Sequence, residues 1–501
     1  MSRMQIESSS HAVTKANAVL AILLAVGIAV LGPVLRGAGT LDTDGWFLLA
    51  SGREVMKNGI PHVNPWSLTG GQGVVLQQWL HGVWLYLWYE AGGYAAVSVS
   101  VAVPAALAAW SYIGLVQRLS RGSRYSWAGL LVGAVGFLLM DCYISVRPTL
   151  WTAAILFLTI HVCITWCDRG DNRILFSLPA LSVLSVNLQA ALWPLPVAAA
   201  ACFLLPGHDE IDTGDLQESL RAWARSRLPL VVAVATMAVA TLLNPYLLDG
   251  SLYLLKSFGA ASYGGAIQEM RPALSVPSAT AFLAISVLAG ALSCIAARSV
   301  PPTWLLIFWA ASIVAGLSAV RCLWISWMVS FLVVAFSVGC RGDGALERKR
   351  MEFAGRAMLC IALAVSVICC GLDSCYRESD GFEVGWESVD RDMSPIVSAL
   401  KKATPGRIWS EDATVMNYLE WAGVPVTYDM RPEIWSEAIA GKGTADDYRA
   451  FVDQRGRGYR GIDSAGWSWA LVKSGNARKF EDRNKAYMVA RGRGYILYWL
   501  R

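Results

Sequence analysis

Long apolar runs separated by short polar stretches fill the first three quarters of the chain, and a mixed pattern replaces them after Tyr376. A run of roughly 20 apolar residues carries a helix across about 30 Å of hydrocarbon. Continuous Leu, Ala and Val runs read as helices rather than as the alternating strands of a barrel. The pattern predicts spans at Ala18–Leu35, Tyr94–Val116, Tyr125–Tyr143, Leu150–Trp166, Ile174–Val186, Ala190–Leu205, Leu228–Leu243, Ala279–Ala297, Thr303–Leu317, Leu323–Val338 and Ala357–Leu372. That makes about eleven, with one long tilted helix as the alternative for the two short runs between 174 and 205. Gly45–Lys57 sets Trp46, Leu49 and Met56 against Arg53, Glu54 and Lys57, and reads as an amphipathic helix along the outer surface. Gly59–Gly73 is a loop rich in Pro, Gly and Asn. Val74–Tyr89 is apolar but carries Gln77, Gln78, His81 and many aromatics, so it reads as interfacial or partly re-entrant.

The polar ends orient this pattern. Residues 1–16 form a leader whose Arg3 and Lys15 place the amino terminus in the cytoplasm, ahead of an uncleaved first span. The loop clusters Arg118/Arg121/Arg124, Arg221/Arg225/Arg227 and Arg341/Arg348/Lys349/Arg350 then fall inside. The resulting division is a cytoplasmic leader, a transmembrane domain over 17–375 with an outer-face loop at 36–92, and an extracytoplasmic domain over 376–501. That last part mixes helix-like stretches, Pro395–Lys402 and Ala445–Gln454, with strand-like runs at Pro425–Tyr428, Ala470–Val472 and Tyr495–Trp499, which predicts a small α/β domain.

Composition narrows the class. Of 501 residues 55% are hydrophobic and only 16% charged, which fits an α-helical polytopic membrane protein and not a soluble globular one. The net charge of +5 reflects loop arginines and does not indicate a nucleic-acid partner. The 11 cysteines lie between Cys142 and Cys375, mostly within apolar runs, which argues against a disulfide framework, and no spacing resembles a zinc site.

The candidate chemistry starts at Thr40–Trp46, TLDTDGW, where Asp42 and Asp44 stand at the end of the first apolar run. A carboxylate just outside the hydrocarbon stays ionised at modest cost while facing a lipid-borne substrate. The competing reading is that both Asp residues cap the helix that follows. Arg147 and Arg321 stand near span ends, where Arg147 either contacts substrate or snorkels to headgroups. Arg321 needs an acidic partner, for which Asp42, Asp44 and Glu269 are the candidates. His62 and His81 read as interfacial residues without a catalytic duty. In the tail Asp429, Arg431 and Glu433 alternate like one face of a strand, either as a salt-bridged edge or as a binding motif.

Taken in order, LDTDGWFLLASG, NPWSLTGG and QQWLHGVWLYLWYEAGG resemble the first outer loop of a branch of bacterial multipass proteins in the GT-C glycosyltransferase-like superfamily. The resemblance continues with Arg147-Pro148, Asn187-Leu188, Asn244-Pro245-Tyr246, Ile267–Glu269 and Arg321, and reaches the tail at YDMRPEIW, Tyr428–Trp435. It implies a GT-C-like transmembrane core in the bacterial cytoplasmic (inner) membrane. The implied activity is transfer of a sugar from a polyprenyl-phosphate donor to a cell-envelope glycan or glycolipid acceptor on the outer face. In that chemistry Asp44, or next Asp42, takes the acceptor's proton, and Arg147 and Arg321 stabilise the leaving phosphate. Gln78, Trp79, Asn187 and Glu269 would line the substrate, with Asp429, Arg431 and Glu433 as a motif of the tail. The donor is the lipid-linked sugar itself, and a divalent cation is left open.

The chain departs from the branch's pattern at Gln78, where Glu is usual, and at Leu48 and Gln189, where His is usual. Those losses keep a non-catalytic reading alive, a protein that binds lipid-linked glycan or scaffolds envelope assembly. A transporter is the more remote alternative, since no paired inverted repeat is visible.

Overall fold

The computed structural model describes residues 43–68, 71–120, 146–207, 216–257, 268–340 and 386–501, apart from 429–430, 432–433, 436, 438–440, 457 and 493. The expected spans at 18–35, 125–143 and 357–372, together with Asp42, Asp429 and Glu433, lie outside these residues. Among the described residues five helical stretches are long and apolar enough to cross a membrane: Trp79–Leu119, Thr149–Arg169, Gln217–Ala240, Pro277–Ala297 and Val320–Gly339. The spans expected at Ile174–Val186, Ala190–Leu205 and Thr303–Leu317 are instead shorter apolar helices, Asn172–Leu188, Ala190–Cys202 and Thr303–Ser318. Each falls below the roughly 20 residues a straight crossing takes.

Helix α1 covers Thr43–Asn58, with Asp44 in its first turn and Lys57 in its last, both of the sign the helix dipole favours. Gly59 ends it at φ +88°, a left-handed conformation that favours glycine, and its amide bonds back to the Val55 carbonyl. The helix predicted for this stretch is present, but it does not lie bare on a surface. Trp46, Leu48, Leu49 and Ala50 are all buried. Three consecutive apolar residues point around more than one side of a helix, so neighbours are needed on more than one side.

Those neighbours are α2 (Trp79–Ser100) and a helix of the C-terminal region. The α1–α2 contact is a backbone approach. A methyl placed on Gly52 would sit 2.0 Å from the Gly82 carbonyl oxygen, and one on Gly82 would sit 2.6 Å from Ser51 Oγ and 2.9 Å from the Leu48 carbonyl. Helix α2 breaks at Gly92 (φ −165°) and Gly93 (φ +63°) before α3 (Ala102–Leu119) continues its line. The break separates the aromatic segment read as interfacial from the span expected from Tyr94.

Next come α4 (Thr149–Arg169), α5 (Ser177–Leu188) and α6 (Pro194–Cys202). Gln189, at φ −157° and ψ 85°, interrupts the chain between α5 and α6, so two short helices stand here and not one long tilted one. The bundle is completed by α7 (Leu216–Ala240), α8 (Pro277–Ala297), α9 (Thr303–Ser318) and α10 (Leu323–Gly339). On α8, Ile285, Leu288, Leu292 and Ile295 form an exposed apolar stripe at helical spacing, as expected of a lipid-facing side. Most of α10 is buried, and Tyr112 of α3 donates to its Met328 carbonyl at 3.1 Å.

The C-terminal part contains α11 (Trp386–Lys402), β1 (Ile408–Ser410), α12 (Ala413–Trp421), α13 (Lys442–Gly456), β2 (Trp469–Lys473), α14 (Ala477–Glu481), β3 (Ala486–Gly492) and β4 (Tyr495–Leu500). The four strands form one sheet in the order β1-β2-β4-β3, with β1 and β2 parallel and the other pairs antiparallel. The strand-like runs at 470–472 and 495–499 are β2 and β4. The one at Pro425–Tyr428 is not part of the sheet. Val426 instead forms an isolated parallel bridge with Ser67 of the loop after α1, because its amide and carbonyl bond to Trp66 and Leu68. Arg431 stands outside any strand, and the other two residues of the alternating face expected here, Asp429 and Glu433, lie outside the described residues.

This region docks on α1 and α2 through aromatic rings. Trp46 meets Tyr418 of α12 edge-on at 5.0 Å and Tyr94 at 5.8 Å, and Trp421 donates its indole N–H to the Tyr94 oxygen at 2.9 Å. Tyr94 in turn donates to the Asp390 carboxylate of α11. One buried apolar cluster therefore runs from α4 and α10 through α1 into the sheet.

The tight crossing makes Gly52→Ala destabilising by about 1–3 kcal/mol through overpacking. Gly443→Ala, where an added methyl meets nothing within 4 Å, should be neutral or slightly stabilising. Thermal unfolding in detergent, with the two variants side by side, checks this. Burial pushes the Asp390 carboxyl above its usual range, with hydrogen bonds from Tyr94 and Tyr418 opposing the shift. The folded state then holds that proton more tightly than the unfolded one, so the carboxyl's contribution to stability falls as pH rises through the raised value. Asp390→Asn should gain stability relative to the wild type near neutral pH, and the gain should shrink on acidification toward the unfolded carboxyl range, as read from melting temperatures across that interval.

Candidate functional site

Three separate segments bring charged side chains together at one end of the bundle. The first turn of α1 carries Asp44. The turn before α4 carries Arg147, with Pro148 at the helix cap and the Thr152 amide bonded to the Pro148 carbonyl. A 3₁₀ turn, Gln268–Met270, carries Glu269. Arg147 Nη1 donates to both Glu269 oxygens, at 3.1 and 2.8 Å, and Nη2 lies 3.4 Å from Asp44 Oδ2.

Exposure decides what this arrangement can do. The Arg147 side chain is 25% exposed, while Asp44 and Glu269 are 47% and 49% exposed. Ion pairs this open to water contribute about 0–1 kcal/mol. An anion that binds the guanidinium by directed hydrogen bonds, as a phosphate does, could displace either carboxylate at small cost. The Arg147 side chain is thus ion-paired in a solvent-accessible site, and the helix-end position of Asp44 is compatible with both the capping and the chemical reading.

Arg321 stands where the sequence puts it, at the entry to a late span. It lies in the 3₁₀ turn Val320–Cys322, and the Val320 amide bonds to the Arg271 carbonyl at 3.0 Å, which draws this turn toward the Glu269 segment. Among the described residues Arg321 makes no ion pair; two of its three expected partners, Asp44 and Glu269, pair with Arg147, and Asp42 lies outside the described residues.

The residues expected to line the substrate divide into groups. Trp79 donates its indole N–H to Asn187 Oδ1 at 2.9 Å, and Asn187 Nδ2 donates to the Val183 and Leu243 carbonyls at 2.8 and 2.9 Å. This partly buried pair joins the start of α2 to α5 and to the end of α7. Gln78 precedes α2, and its carbonyl accepts the Gly82 amide. Of the departures, Leu48 is fully buried in the α1 core, and Gln189 accepts from Thr152 Oγ1 of α4 at 2.6 Å.

Arg431 contacts α1. Its guanidinium lies 3.7 Å over the Phe47 ring, one turn after Asp44, and 5.4 Å from the Trp66 ring centroid. Its Nη2 is 3.8 Å from Oε1 of Glu420, whose side chain is fully buried. Arg53 makes the reciprocal contact from α1, stacking 4.4 Å over Trp421 and donating to the Glu420 carbonyl at 3.3 Å. The sequence reading did not single out Glu420, Arg53 or the Gly52–Gly82 approach. The spacing of Arg53 from Trp46 within a short helix was the available signal, but its partners stand more than 350 residues away. Among the described residues no group of three or more His, Cys, Asp or Glu side chains is placed to hold a metal ion.

No protein-family model matches the chain, and no curated protein matches it. Solved structures do. ArnT from Cupriavidus metallidurans bound to undecaprenyl phosphate is 12% identical, with 96% of this chain and 97% of that chain covered at a TM-score of 0.57. The archaeal oligosaccharyltransferase AglB from Archaeoglobus fulgidus, in complex with an inhibitory peptide and a dolichol-phosphate, is also 12% identical, with 93% of this chain and 70% of that chain covered at a TM-score of 0.48. The chain thus shares the fold of that ArnT structure, with 96% of its length covered, in keeping with the resemblance carried by its sequence motifs.

Proposed function

We propose that this protein transfers a sugar from a polyprenyl-phosphate-linked donor to a cell-envelope acceptor at the outer face of the bacterial cytoplasmic membrane. The observation that carries this reading is the meeting of Arg147, Glu269 and Asp44 at an open site. A fold shared with a structure that holds undecaprenyl phosphate supports it. In the proposed topology the amino terminus is cytoplasmic, and the Asp44 end of the bundle and the domain over 376–501 face outward, in keeping with the loop arginines.

In the proposed reaction the donor phosphate displaces the carboxylates from Arg147. Asp44, released from the guanidinium, accepts the proton of the acceptor hydroxyl as that oxygen attacks the anomeric carbon. The bond from that carbon to the phosphate oxygen breaks, and Arg147 stabilises the negative charge left on the lipid phosphate, with Arg321 as the second candidate cation. Glu269 holds Arg147 in place before the donor arrives. Asp42 is the alternative base. Gln78 is the remaining side chain proposed to reach the sugar, whereas Trp79 and Asn187 act by fixing the start of α2. Arg431, with Asp429 and Glu433, belongs in this proposal to the contact between α1 and the C-terminal domain.

A second reading, a binder of lipid-linked glycan without transferase activity, draws support from two positions. Leu48 is buried and Gln189 is engaged by Thr152, so neither supplies a proton carrier where the family resemblance expects histidine.

Mass spectrometry of envelope glycans in a deletion strain, complemented at matched membrane expression, separates the two. On the transferase reading a glycan disappears on deletion, the wild type restores it, and Asp44→Asn or Arg147→Ala reduces it by at least about tenfold, the effect of losing about 1.4 kcal/mol of transition-state stabilisation. Full restoration by both variants would overturn the transferase assignment of this site.

A further inference from the structure

Asp44 and Arg147 lie about 100 residues apart on elements that do not continue one another. Two consecutive residues of α2 touch both. Gly82 receives the backbone of α1 at Leu48, Ser51 and Gly52. His81, beside it, places Nε2 2.5 Å from the carbonyl oxygen of Val146, the residue before Arg147. A carbonyl can only accept, so Nε2 carries the proton and donates. His81 is 2% exposed, and its Nδ1 has no hydrogen-bond partner among the described residues. A buried polar atom without a partner costs about 1–3 kcal/mol. An apolar side chain would fill this position without that cost, and what the imidazole adds is the single bond to Val146.

We propose that His81 is a positioning residue that sets Arg147 in register with Asp44, through the carbonyl of the turn that carries the arginine. Helix α2 then serves as a gauge between the two groups. Gly82 fixes the distance to α1, and His81 fixes the turn before α4. The carbonyl of Val146 is held while the Arg147 side chain stays partly exposed, so the guanidinium can exchange carboxylate for phosphate without its backbone moving. This inference rests on the reading that Arg147 receives the donor phosphate, and it assigns His81 no contact with substrate.

The test is a double-mutant cycle on the full-length protein in detergent, with undecaprenyl phosphate alone as the probe and its affinity read by microscale thermophoresis. Arg147→Ala should weaken binding by about tenfold or more, as expected for loss of a charge-assisted phosphate contact. His81→Phe should weaken it by a comparable factor, and the double variant should be no weaker than Arg147→Ala, because the two act through one contact. His81→Gln, whose amide N–H can still donate to Val146, should recover a large part of the loss. Tyr112→Phe removes a buried bond to Met328 in the same bundle and is the control: it should lower the melting temperature without changing affinity.

If His81→Phe does not fold, His81→Ala takes its place in the cycle. Wild-type affinity in the His81 variant beside a loss in Arg147→Ala overturns the positioning role alone, and so do additive losses in the double variant. Wild-type affinity in Arg147→Ala overturns the phosphate reading itself and the inference with it.

Discussion

The contact between the backbones of α1 and α2 at Gly52 and Gly82 is the constraint on which the site depends. Side chains usually hold helix axes about 8–10 Å apart. Where two glycines face each other the chains come closer, and the carbonyl of one occupies the space a methyl of the other would fill. Such a contact tolerates little sliding, since a shift of one residue brings Ser51, Arg53, His81 or Val83 into the gap. Asp44 stands two turns before Gly52 on the same helix, so its position inherits this register.

The C-terminal region, which carries the sheet, also packs on α1, and the chemistry of that surface explains the contact. Trp46, Tyr94, Tyr418 and Trp421 supply apolar area together with polar edges that find partners, as large aromatic rings do at interfaces. The stacking is reciprocal. Arg53 of α1 lies over Trp421, and Arg431 of the domain lies over Phe47. The fully buried Glu420 lies beneath the second of these arginines. Removing one member of a pair buried this deeply leaves a charge without compensation, at about 3–5 kcal/mol.

The two groups of charges near α1 thus do different work. Glu420 is sealed from water, and its pairing with Arg431 holds parts of the structure together. Asp44 and Glu269 are half exposed, and their pairing with Arg147 is weak enough for a ligand to replace. The same residue types are sealed from water in one place and open to it in the other.

The sequence by itself determined the class of the protein and marked candidate residues along it. Hydropathy located the long helices from Tyr94 to Val338, since burial in lipid requires continuous apolar residues and leaves an unmistakable trace. Short motifs singled out Asp44, Arg147 and Glu269 for separate roles, and the structure brings those three side chains together. It misjudged what depends on partners far along the chain. The run at Pro425–Tyr428 has the composition of a strand, but its backbone bonds to the loop at Trp66–Leu68, a choice no local pattern contains. His81, in sequence an aromatic among the interfacial residues, is buried and bonds the carbonyl beside Arg147. Periodicity records how each segment meets water or lipid. Which residues face one another across the bundle was decided only by the tertiary structure, because close contacts such as Gly52 with Gly82 come from the crossing of two helices and not from either helix alone.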